Sequence, residues 1–69
     1  MYNQMLRGRI VQKYGSLKNF AAPLGVSYVT LIHKLKGLRE WTASEIETLV
    51  DLLEIDPNQI PLYFFNRKV

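Results

Sequence analysis

The sequence predicts an all-α fold, a compact bundle of five short helices, and three observations carry that prediction. Apolar residues recur at i, i+3, i+4 and i+7 along most of the chain, the spacing of one helix face. Gly15, Gly25 and Gly37 stand singly where those stripes end, and each precedes a serine or threonine able to cap a following helix. No segment alternates apolar and polar residues over more than a few positions, so strand signals are poor. A chain of 69 residues has room for one domain, 1–69, and no repeat, low-complexity tract or linker divides it.

The first helix is expected over about 3–14, where Tyr2, Leu6, Ile10 and Tyr14 recur every fourth residue until Gly15 stops it. Ser16 caps a second helix over 17–24, with Leu17, Phe20, Ala21 and Leu24 as its buried face. Pro23 falls in the last turn of that helix, removes one N–H and is expected to kink it. Ser27 caps a third helix over 28–36, which Gly37 ends. The fourth has the clearest start: Thr42 and Glu45 form a capping box, with Trp41 and Ile46 at the positions of a hydrophobic staple. Ile46, Leu49, Val50 and Leu53 then give its apolar stripe. Asp56-Pro57 opens a short fifth helix whose length Pro61 is expected to limit, and Tyr63-Phe64-Phe65 closes the domain.

Composition excludes several functions. The chain has no cysteine, which removes disulfide scaffolds, thiol catalysis and thiolate metal sites. No apolar run approaches the roughly 20 residues that span a bilayer, and no helix pairs a basic face with a broad exposed apolar one. The start lacks the basic-then-apolar layout of a signal peptide, so a soluble, intracellular protein is expected. His33 is the sole histidine and has no carboxylate near it in sequence, so no metal, cofactor or catalytic role is expected. Glu45, Glu47, Asp51 and Glu54 spread over a solvated helix face. The charge distribution is more informative. Residues 1–39 carry seven basic side chains (Arg7, Arg9, Lys13, Lys18, Lys34, Lys36, Arg39) and no acid, while 40–69 carry six acids against Arg67 and Lys68. An acid-free segment of that length points to a face that meets a polyanion.

Residues 17–36 have the layout of a helix-turn-helix, two short helices separated by Leu24-Gly25-Val26-Ser27, with small Ala21 allowing a close crossing. The run from Ser16 to Gly37, the Gly37-Leu38-Arg39 turn, and the Trp41…Ser44-Glu45-Ile46 and Tyr63-Phe64-Phe65 stretches resemble the Cro/C1-type (lambda-repressor-like, XRE) regulators, within a small phage-repressor subgroup. The resemblance implies a transcriptional regulator of Cro or repressor type, cytoplasmic and nucleoid-associated in a bacterial host, that binds double-stranded operator DNA, mostly as a homodimer, through its third helix. Many such relatives bury an arginine–glutamate pair where this chain has Ile10 and Leu35, so those two are expected to pack together instead.

Helical geometry assigns the contacts independently. Tyr28, Leu31 and Leu35 share the core side of the third helix, Tyr28 at its exposed start. Tyr28, Val29, Thr30 and His33 are therefore the candidate base-reading residues. Lys18, Ser27, Lys34, Lys36 and Arg39 are the candidate phosphate-binding residues. Leu62, Phe64 and Phe65 are apolar enough for a dimer contact, or for completing a small core. Three departures from the family pattern favour a rival function: Leu17 replaces a phosphate-binding glutamine, Pro23 interrupts the second helix, and Val29 offers no hydrogen bond to a base. The rival is a helix-turn-helix modulator, an antirepressor that captures a repressor protein.

Overall fold

The computed structural model describes residues 3–64, and among them there is helix and turn but no strand. The elements run α1 (Gln4–Tyr14), α2 (Leu17–Leu24), α3 (Tyr28–Leu35), α4 (Ala43–Leu53), a 3₁₀ turn (Pro57–Gln59) and α5 (Ile60–Phe64). Tyr2 and Phe65, named above in the first stripe and the terminal aromatic group, lie outside the described residues.

The first four helices each open on a side chain that accepts an otherwise unpartnered first-turn N–H. Asn3, Ser16, Ser27 and Thr42 accept from the amides of Leu6, Asn19, Thr30 and Glu45. At Thr42 the exchange is reciprocal, because the Glu45 carboxylate accepts the Thr42 N–H at 2.9 Å, completing the capping box. The stops are as local as the starts. Gly25 has φ 88° and Gly37 φ 82°, in the left-handed region that glycine adopts without strain. Nothing lies within 4 Å of where a Cβ would stand on Gly25, so its backbone conformation alone favours glycine there.

α2 packs against α1, α3 and α4, and α1 closes the bundle against α4. Leu6, Ile10, Phe20, Leu31, Leu35, Leu49 and Leu53 are fully buried, and the Tyr14 ring meets Phe20 edge-on at 5.0 Å. Removing one such side chain from water contributes about 1.5–3 kcal/mol, so this cluster holds the bundle together. Ile10 and Leu35 both belong to it.

α2 spans Leu17–Leu24 as expected, with Pro23 in its last turn, where a proline removes only one bond. Two local details differ from expectation. α3 ends at Leu35, with Lys36 as its C-terminal cap. Pro61 does not limit the fifth helix but stands second in it. A first-turn residue lacks an intrahelical N–H partner in any case, so proline is tolerated there.

Asn3 joins distant parts of the chain. Its backbone N–H donates to the Leu35 carbonyl at 2.7 Å, and its side-chain amide donates to the Tyr63 carbonyl. The start of α1, the end of α3 and α5 therefore meet at one residue.

Candidate functional site

The outward face of α3 follows from the packing of Leu31 and Leu35 into the core, which leaves the opposite side uncovered. Tyr28 is 47% exposed and Val29 59%, while Thr30 and His33 are half-buried. Two apolar surfaces thus stand side by side at the helix start, next to the Gly25–Ser27 turn. Ser27 and Thr30 are occupied with one another: the Ser27 hydroxyl donates to Thr30 Oγ1 at 2.9 Å and accepts the Thr30 N–H at 3.1 Å. A hydroxyl so engaged has little left for a phosphate, which argues against the phosphate role expected of Ser27. Lys18, Lys36 and Arg39 are exposed, as a phosphate contact requires.

Lys34 is a correction. Expected at the edge of the exposed face, its side chain is only 6% exposed. Its ammonium sits 2.8 Å from Glu45 Oε1, donates to the Glu40 carbonyl at 2.8 Å and lies 5.6 Å from the centre of the Trp41 ring. The physical reason is rotational: Lys34 is three residues after Leu31, about 60° from it around the helix, so it flanks the core rather than facing away. Burial pushes the Glu45 carboxyl up, but the Lys34 hydrogen bond, the Thr42 N–H and the Lys34 charge outweigh it. The carboxyl is therefore held below its ordinary value. Lys34 ties the end of α3 to the capping box of α4 and is unavailable to DNA.

Two further cations of the acid-free segment also serve the fold, and sequence reasoning missed both. The Arg9 guanidinium donates to the Leu53 carbonyl from Nε at 3.1 Å and from a terminal nitrogen at 2.9 Å, reaching the Glu54 carbonyl as well. It thereby satisfies carbonyls at the end of α4 that lack an intrahelical partner. Lys13, one turn further along α1, pairs with Glu54 at 2.9 Å. The Lys13 hydrogen bond and charge hold the Glu54 carboxyl below its ordinary value. The available signal was the i, i+4 spacing of Arg9 and Lys13, which flanks the buried Ile10. The positive half of the sequence is thus not a single free surface.

The terminal aromatics divide. Phe64, half-buried, meets Trp41 edge-on at 6.0 Å and packs against the core, the second of the two roles expected of it, as suits so small a bundle. Leu62 remains 48% exposed, and Phe65 lies outside the described residues. Among the described residues no helix is long and apolar enough to cross a membrane, and no three His, Cys, Asp or Glu side chains converge as metal ligands would.

The family described as "Protein of unknown function (DUF739)" matches residues 2–67. No curated protein matches the chain. The fold is similar to the solution structure of the modulator of repression (MOR) of the temperate bacteriophage TP901-1 from Lactococcus lactis. The TM-score is 0.75 and the identity 40%, over 99% of this chain and 93% of that one.

Proposed function

The chain belongs to the DUF739 family, and from that premise we propose that it is a phage-type modulator that captures a repressor protein through the outward face of α3. The observation that carries this reading is the likeness to a modulator of repression at 40% identity over nearly the whole length of both chains. The surface is consistent with it. Tyr28 and Val29 offer an exposed aromatic and an exposed aliphatic side chain on adjacent residues, the kind of anchor that protein interfaces bury. Ser27 and Thr30, on either side of them in sequence, are bonded to each other, and Lys34 is turned into the fold.

Operator binding is the second reading, favoured by the exposure of Lys18, Lys36 and Arg39 within a segment without acids. One experiment separates the two. The purified chain is mixed with the repressor from its own locus and, separately, with operator and random duplexes at one salt concentration. Capture predicts a complex with the repressor that Val29→Asp with Tyr28→Ala abolishes. DNA reading predicts a preference for operator that the Thr30→Ala, His33→Ala double variant erodes, with phosphate-driven binding retained. A wild-type chain that prefers operator and leaves the repressor alone would overturn the capture reading.

A further inference from the structure

On a different part of the surface, α4 and the start of α5 border an open groove of about 290 Å³. Ile46, Val50 and Ile60 form its apolar lining, all three half-buried. Glu47 and Asp51, one helical turn apart on α4, form its exposed acidic rim. The volume lies at the bottom of the roughly 300–1,000 Å³ range of small-molecule sites, so it suits about one or two side chains rather than an enclosed substrate.

Among the described residues, the charged side chains that line it are both acidic. From Glu40 to Phe64 the sequence holds six carboxylates and no lysine or arginine. Glu45 and Glu54 are neutralised by Lys34 and Lys13 from other helices. Glu47 and Asp51 have no hydrogen bond or ion pair from their side chains to any described residue. Two like charges spaced i, i+4 weaken a helix slightly, and a cation placed between them would reverse that effect.

We propose that this groove docks a short segment of another protein that carries one apolar side chain flanked by lysine or arginine. The apolar side chain sits on Ile46, Val50 and Ile60, and the flanking cations meet Glu47 and Asp51. Attraction between exposed charges sets the partner's sign and the encounter rate, while apolar burial supplies the hold. No residue of the α3 face takes part, so this site stands or falls separately from repressor capture.

The test is a titration of the isotope-labelled chain with a synthetic helical peptide bearing a central leucine flanked by arginines, followed by amide NMR shifts. A second peptide replaces the arginines with glutamates. The arginine peptide is expected to shift the amides of Ile46, Glu47, Val50, Asp51 and Ile60 and to leave that of Val29 in place. Because exposed charge pairs are individually weak, Glu47→Lys with Asp51→Lys is expected to lower the affinity about tenfold, with the circular dichroism spectrum unchanged. Should that variant fold poorly, Glu47→Gln with Asp51→Asn is expected to weaken binding in the same direction. Equal binding of the glutamate peptide, indifference to the rim substitutions, or absence of groove shifts would overturn the proposal. Groove shifts that grow with protein concentration before any peptide is added would assign the groove to a second copy of the chain, and would overturn it too.

Discussion

The two ends of α4 are both held by cations from the acid-free first part of the chain, yet they are held in different media. At the N-terminal end Lys34 is enclosed by Glu45, the Glu40 carbonyl and the Trp41 ring. At the C-terminal end Lys13 reaches Glu54, whose side chain is 75% exposed, while Arg9 bonds the last carbonyls directly. Solvent decides what each contact is worth. An ion pair sealed from water leaves a costly unpaired charge when broken, whereas one in water is replaced by hydration at little cost. A count of positive charges along the sequence treats the two ends alike, and the fold does not.

Breaking the enclosed contact is expected to have the largest effect. Lys34→Ala strands the Glu45 carboxylate beside the core and should destabilise by about 2–4 kcal/mol, somewhat below the range for fully buried pairs because Glu45 keeps partial access to water. In a domain this small that corresponds to a melting temperature lower by more than about 10 °C, read by circular dichroism. Lys34→Met combined with Glu45→Leu should recover most of the loss, because an apolar pair leaves no stranded charge. Failure to recover would mean that the hydrogen bonds to Thr42 and Glu40, rather than the ion pair, hold this end.

Arg9→Ala comes next. It removes the donors that satisfy carbonyls at the end of α4 and should cost about 1–2 kcal/mol in a urea titration. A smaller loss would mean that water replaces the guanidinium there.

Acid should weaken both ends, because Glu45 and Glu54 are both held below their ordinary value of 4.5. The folded chain holds the Glu45 carboxyl below its ordinary value of 4.5, so in acid the folded state binds fewer protons than the unfolded one. The resulting stability is complete above the unfolded value and is lost as pH falls through the folded one. Melting temperature should therefore decline below about pH 5, and Glu45→Gln should flatten part of that decline. A profile unchanged by this substitution would mean that other carboxylates govern the acid limb.

Lys13→Ala should have the smallest effect, a change in melting temperature of about one or two degrees at most that fades as salt is added. A larger, salt-independent change would mean that the exposed end depends on more than charge.

The starts and stops of the helices were legible because they are written in adjacent residues: Ser16, Ser27 and Thr42 at the caps, Gly25 and Gly37 at the exits. The core stripe of Leu17, Phe20, Ala21 and Leu24 was legible for the same reason, as a period within one helix. Arg9 was not, because its partner carbonyls are 44 residues away and belong to the backbone, which no residue type marks. Lys34 was hidden more subtly. Its angle beside Leu31 was available, but a lysine next to a core stripe is ordinarily taken to extend its ammonium into water. Only the folded approach of Glu45 and Trp41 draws it in. The acidic rim of the α4–α5 groove was read as a solvated face because Ile60, which completes the apolar lining, comes from another helix.

Asn3 has a kinetic consequence. Its bond to Tyr63 spans 60 residues, so making it closes a loop nearly as long as the chain. Loop closure costs entropy that rises with length, and contacts at such separation repay it only once nearer elements are in place. The pairing of Asn3 with Leu35 and Tyr63 should therefore form late in folding and open early in unfolding, ahead of the core around Phe20. Native-state hydrogen exchange should then divide the molecule into a slow inner bundle of α1, α2 and α4 and a faster outer unit. In that unit the Asn3 amide is expected to exchange together with those of α5, so a single asparagine links the residue that caps α1 to the last described helix.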